Sequence, residues 1–104
     1  MKSITAIELQ QLINSHADIQ LIDVRTLFEH NNFNIGGTLI PLDEIVKNST
    51  AIDKNKIVVL YCKKGMRSQI AIQKLQQKCA FTNLVNLHGG TDAWIKTFAL
   101  PISL

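Results

Sequence analysis

Acidic residues are scarce in one half of this chain. Residues 54 to 104 hold eight Lys/Arg but a single acid, Asp92, whereas residues 1 to 53 hold seven Asp/Glu and three Lys/Arg. A net charge of +3 therefore conceals an electropositive half suited to small anions or to an acidic partner. Aromatics make up only 6% of the residues, and the lysines neither interleave with them nor form a long run, which argues against nucleic acid as a partner. Long apolar runs are missing too: none approaches the roughly 20 residues of a membrane span, so no membrane partner is expected. Two cysteines, Cys62 and Cys79, are too few for a disulfide scaffold and form no CxxC pair. A reduced, cytoplasmic setting is the expectation. The opening stretch MKSITAIELQQL lacks an apolar signal core and carries Glu8, so a secretory leader is not expected. No His/Cys/Asp grouping has metal-ligand spacing, and no cofactor is expected.

What is present reads as one globular domain over residues 1–104. The hydrophobic fraction is 46% and the charged fraction 18%, which suits a single packed core. Thr5 and Glu8 have capping-box spacing. They start a helix over 6–14 with Ile7, Leu9, Leu12 and Ile13 on one face. The run IQLIDV (19–24) is a short strand, and 26–32 a short helix or turn. GGTLIPL (36–42) is a turn and a short strand closed by Pro41, with Asp43 capping a brief helix through Val46. KIVVLYC (56–62) is the strongest strand: it is apolar without alternation, as in a central parallel strand. Residues 67–79 form a helix with Ala71, Ile72, Leu75 and Cys79 inward and four glutamines outward. NLVNL (83–87) is a strand, Gly89-Gly90 a turn, and 91–98 a last helix. Strands and helices alternate, so the fold class is α/β: a central parallel sheet flanked by helices on both faces.

One stretch stands out, VVLYCKKGMRS (58–68). Ligands of open α/β sheets sit at the carboxyl ends of strands, and Cys62 lies at such an end. The residues after it lead into a helix N-terminus, whose free N–H groups and dipole favour an anion. Lys63, Lys64 and Arg67 add positive potential, and Gly65 allows a turn with positive φ. Each feature favours the thiolate over a thiol, whose ordinary pKa is about 8.5. Burial at the end of an apolar strand opposes them, and the loop is expected to open towards solvent. A plain core cysteine would leave the glycine and the three cations unexplained.

The segment CKKGMRS resembles the active-site loop of rhodanese-like sulfurtransferases, Cys-x-x-Gly-x-Arg/Thr/Ser. LIDVRTLFEHNNFNIGGTLIPL (21–42) resembles that family's hydrophobic-Asp-Val-Arg to Ile-Pro stretch. VNLHGGTDAWIKTFALPI (85–102) resembles its closing Leu-x-Gly-Gly-x-x-x-Trp to Gly-Leu-Pro block. The three blocks stand in the family's order and cover nearly the whole chain. The departures are Phe33-Asn34 for a Gly-His pair, Thr38 for an alanine and Ala99 for a glycine. They fall at positions that shape loops.

The resemblance implies a thiosulfate sulfurtransferase in which catalytic Cys62 attacks the outer sulfur of an anionic donor such as thiosulfate and carries it as a persulfide. A thiol or a carrier protein would be the acceptor. The substrate-binding residues it implies are Lys63, Lys64, Gly65, Met66, Arg67 and Ser68, whose N–H groups would cradle the donor or persulfide. A carrier or regulatory module with poor turnover of free thiosulfate is the alternative. Phosphatases of related fold leave five residues between cysteine and arginine, whereas Cys62 and Arg67 enclose four, a cradle better matched to a sulfur atom.

The remaining candidates divide between support and chemistry. Arg67 either binds the donor or braces the loop by pairing with an acid. Asp23 is expected to cap loop N–H groups, and Arg25 to pair with Glu29 across a turn. Cys79 and Trp94 are expected in the core, His88 in a turn, and His16 and His30 at the surface.

Overall fold

The computed structural model describes residues 1–99. The Leu-Pro-Ile end of the last block, residues 100–102, lies outside them. In chain order the elements are β1 (Ser3–Ile4), α1 (Ala6–Asn14), β2 (Ile19–Asp23), α2 (Leu27–Asn32), β3 (Thr38–Leu39), two 3-10 turns (Leu42–Glu44 and Ser49–Ala51), β4 (Ile57–Tyr61), α3 (Met66–Cys79), β5 (Leu84–Leu87) and α4 (Gly90–Phe98). The five strands form one sheet in the order β1-β5-β4-β2-β3, and every pairing is parallel. This is the α/β architecture that the alternating pattern predicts. Among the described residues no helix is long and apolar enough to cross a membrane.

Strand β4 is central, and Val58, Val59, Leu60 and Tyr61 are all at 0% exposure. A strand buried on both faces has no need of polar alternation. On one face Ala71, Ile72 and Leu75 of α3 pack with Ile22, Val58, Leu60 and Ile45. Leu9 of α1 and Trp94 of α4 pack with Val59, Tyr61 and Leu87 on the other. Helices thus cover both faces. The connection after β2 runs to β3 on one side, while that after β4 runs to β5 on the other. The carboxyl ends of β2 and β4 therefore flank the switch point of the sheet, where α/β folds open a crevice.

Several local expectations change. The two-residue edge strand β1 pairs Ser3 with Asn86 and Ile4 with Leu87 and was not expected from so short a segment. In α1 only Ala6 and Leu9 are buried. Ile7 is 56% and Ile13 37% exposed, because a nine-residue helix beside a sheet edge buries a narrow stripe. Asp43 caps nothing: it lies inside the first 3-10 turn, which begins after Pro41 with no side-chain cap. Cys62 falls just past β4 rather than within it, and Met66 already belongs to α3. Trp94 is partly buried, with the Phe98 ring 4.7 Å away in an edge-on contact.

The burial pattern of α1 is testable. Leu9→Ala removes a side chain with no exposure and should cost about 2–5 kcal/mol in urea unfolding. Ile7→Ala and Ile13→Ala should each stay within about 1 kcal/mol. Equal losses at all three positions would contradict the packing of α1 described here.

Candidate functional site

The site is built where β4 ends. Gly65 takes φ +92 and serves as the N-cap of α3 without a side-chain cap. A left-handed residue there reverses the chain within three residues of Cys62, which only glycine does without strain. The reversal brings two backbone donors onto the sulfur. Gly65 N donates to Cys62 Sγ at 3.1 Å, and Ser68 N donates to it at 3.4 Å. Ser68 Oγ lies 3.4 Å from the same sulfur. Cys62 itself is 1% exposed, so the expected opening towards solvent does not occur at the sulfur. Cys62 instead lines a cavity of about 190 Å³ together with Lys63, Lys64, Met66 and Arg67.

The backs of the loop peptides are held by α4. Thr91 N donates to Cys62 O at 2.8 Å, and Asp92 N donates to Lys63 O at 2.9 Å. Gly90, the first residue of α4, has φ +60, and a Cβ there would overlap the Cys62 and Lys63 carbonyls. Gly90 of the last block is thus a close-approach device for the cysteine loop.

Three cations surround the cavity, in different circumstances. Arg67 is forked onto Glu29 of α2, with Nη1 to Oε1 at 2.7 Å and Nη2 to Oε2 at 2.8 Å. Of its two expected roles, bracing is the one with a partner in place. This fork also corrects the expected Arg25–Glu29 pair. Lys63 meets Asp92 at 3.1 Å in an exposed pair. Exposed pairs of this kind contribute little to stability, but Asp92 partly offsets the charge of Lys63. Lys64 is exposed and has no carboxylate within ion-pair distance among the described residues. Its charge is the one most available to an incoming anion.

Asp23 and Arg25 brace the neighbouring strand end. The Asp23 carboxylate, at 0% exposure, accepts from Arg25 N at 3.0 Å, Nε at 2.9 Å and Nη2 at 2.8 Å. It therefore caps a loop N–H as expected and binds the Arg25 side chain as well. His30 Nδ1 lies 2.9 Å from the same carboxylate, so His30 belongs to this buried cluster rather than to the surface. Burial pushes the Asp23 carboxyl up, but the bonds from Arg25 and His30 and the Arg25 charge together leave it below its usual value. Tyr61 carries the cluster across the sheet end. Its ring lies 5.6 Å beneath the Arg25 guanidinium, and its hydroxyl donates to Gly36 O at 2.9 Å. Burial pushes that phenol up to about 12.

One residue of the site was not expected. Asn86 of β5 is buried. It accepts from Ser68 Oγ and donates through Nδ2 to Gly65 O at 3.4 Å. Its only signal in the sequence is a polar residue inside the apolar NLVNL. Cys79 is partly buried against the core at the far end of α3 from the cavity. His88 is exposed in the turn before α4.

Fold and site together define a cysteine-centred α/β domain, with its sulfur held by backbone donors at a switch point. The rhodanese-like domain family matches residues 5–97, and the chain belongs to that family. It is 35% identical over 95 residues to a sulfurtransferase of Allochromatium vinosum, covering 90% of this chain and 87% of that one. It is 33% identical over 97 residues to the probable adenylyltransferase/sulfurtransferase MoeZ of Mycobacterium tuberculosis, but spans only 24% of that protein's length. The crystal structure of a rhodanese-like domain protein from Staphylococcus aureus superposes with a TM-score of 0.81 at 35% identity, over 90% of this chain and 91% of the other.

The Arg67 fork lowers the Glu29 carboxyl from its ordinary 4.5 to about 2. A folded value below the unfolded one stabilises the protein above the unfolded value, and that contribution is lost as pH falls through the folded one. Wild type should therefore exceed Glu29→Gln in urea stability at neutral pH, with the gap closing between about pH 4.5 and pH 2. A gap independent of pH would mean that the fork is not ionic.

Proposed function

We propose that this domain is a rhodanese-type sulfurtransferase that moves a sulfane sulfur from thiosulfate, or a similar small anionic donor, to a thiophilic acceptor through a Cys62 persulfide. The Cys62 thiolate attacks the outer sulfur of the donor. A new S–S bond forms as the bond to the sulfonate sulfur breaks, and sulfite leaves with that electron pair. An acceptor nucleophile, such as a thiol, a carrier protein or cyanide in an assay, then attacks the terminal sulfur and returns the Cys62 thiolate. No electrons enter from outside, and no cofactor is required.

The observation that carries this reading is the pair of N–H groups from Gly65 and Ser68 on Cys62 Sγ. Donors already aimed at the sulfur need no reorganisation as charge develops there. Substrate contact falls to the cavity-lining residues Lys63, Lys64, Met66 and Arg67. Arg67 contributes field while remaining forked on Glu29, and Lys64 supplies the least compensated charge. The relatives named as sulfurtransferases support transfer of sulfur in general; thiosulfate is favoured here by the cationic rim. The four residues between Cys62 and Arg67 make a small ring, a poorer fit to a phosphoryl group.

Thiocyanate formation from thiosulfate and cyanide tests the proposal. Wild type should turn over and Cys62→Ser should not, while p-nitrophenyl phosphate should remain intact. Lys64→Ala should raise KM for thiosulfate several-fold with little change in kcat, and Lys63→Ala should do so less. Salt should reproduce the Lys64 effect, since exposed charges are screened over about 10 Å at 0.1 M ionic strength. Phosphate ester hydrolysis without thiocyanate would overturn the assignment, and an unchanged KM in Lys64→Ala would remove the cationic rim from it.

A further inference from the structure

The hydrogen bonds around Asn86 can be assigned completely. Gly65 O can only accept, so the amide nitrogen of Asn86 must face it. The amide oxygen then faces Ser68, and the Ser68 hydroxyl must donate to it. A hydroxyl has one proton. With that proton on Asn86, Ser68 Oγ presents only lone pairs to Cys62 Sγ, 3.4 Å away. Such an arrangement suits a neutral thiol, which can donate its own proton to Ser68. It does not suit a thiolate, whose charge would meet those lone pairs inside a buried site.

We propose that Asn86 is a positioning residue that sets the direction of the Ser68 hydroxyl, and that this hydroxyl turns its hydrogen from Asn86 to Cys62 Sγ when the thiol loses its own proton to solvent base and the sulfur becomes charged. The turn is a rotation about one bond and needs no backbone movement. It leaves the Asn86 amide oxygen without its buried partner, so Asn86 resists the turn. Ser68 thus supplies a third donor to the sulfur, beyond the two backbone groups, only in the charged state. The roles of Ser68 and Asn86 rest on Cys62 being the nucleophile of the proposed reaction. The charged groups around Cys62 are Lys63, Lys64 and Arg67, with Asp92 of α4 on Lys63 and Glu29 of α2 on Arg67. Asp23 of β2 is held by Arg25 and His30. None of these is altered by the variants below.

Alkylation of Cys62 by iodoacetamide reads the thiolate without any sulfur transfer, so this proposal and the sulfurtransferase reading can fail separately. In a Cys79→Ser background, rates are compared at about pH 6 and about pH 10, the latter normalising for access because thiols there are largely ionised. Ser68→Ala should lower the ratio of acid to alkaline rate by about tenfold, the scale of one hydrogen bond to a charged group. Asn86→Val removes the competing acceptor and should raise the ratio several-fold. The double variant should match Ser68→Ala alone, because Asn86 acts only through Ser68. If Asn86→Val fails to fold, Asn86→Ala takes its place in the same comparison. An unchanged ratio in Ser68→Ala overturns the proposal. So does a lowered or unchanged ratio on removal of the Asn86 amide, or an equal rise in the Ser68→Ala background, since a merely structural Asn86 would move both rates together.

Discussion

The site depends on two hydrogen bonds that never touch the sulfur. Thr91 N and Asp92 N donate to the carbonyls of Cys62 and Lys63. A helix leaves its first N–H groups without internal partners, and α4 has no side-chain cap to satisfy them. The cysteine loop in turn leaves two carbonyls facing into the protein as it bends off the sheet. Each element supplies what the other lacks. Because a trans peptide sets N–H opposite C=O, anchoring these carbonyls on α4 also turns the N–H groups of Lys63 and Lys64 away from that helix. Any side chain at Gly90 would separate the two elements. The closing Gly-Gly block and the cysteine loop, far apart in sequence, are therefore one construction.

Electrostatics around the sulfur follow from what is already neutralised. Arg67 is committed to Glu29, which fixes α2 to the start of α3. Lys63 is partly offset by Asp92, and the Asp23–Arg25–His30 cluster is nearly closed on itself behind β2. The cavity thus keeps a positive potential that is modest and local, centred on Lys64 and the start of α3. Of the cations over residues 54–104, Lys64 is the one lining this cavity without a carboxylate partner among the described residues, and the lysines other than Lys63 and Lys64 lie elsewhere.

Much of this was legible in the sequence, and the reasons differ by element. The strand of β4 declared itself because a doubly buried parallel strand has no alternation. Both capping boxes, Thr5 with Glu8 and Thr26 with Glu29, are local motifs, although only the first was read as one. Cys62 and its loop were found because a thiol, a glycine and three cations fall within six residues. Contacts that join distant segments stayed hidden. Glu29 and Arg67 are 38 residues apart, so nothing local told that Glu29 would choose Arg67 over Arg25. Asn86 looked like one polar residue in an apolar strand, and its role exists only because β5 runs beneath Gly65. Periodicity placed Ile7 and Ile13 inward, but how wide a stripe a helix buries is decided by its neighbours.

The central claim is that Cys62 is the atom that carries sulfur. Intact mass after brief treatment with thiosulfate, followed by peptide mapping without reductant, tests it most directly. One sulfur, about 32 Da, should be gained on Cys62 through attack of its thiolate on the sulfane sulfur. The gain should persist in Cys79→Ser, vanish in Cys62→Ser, and disappear on adding cyanide. A sulfur mapped to Cys79, or a wild-type protein that gains none from thiosulfate or any other sulfane donor, would contradict it.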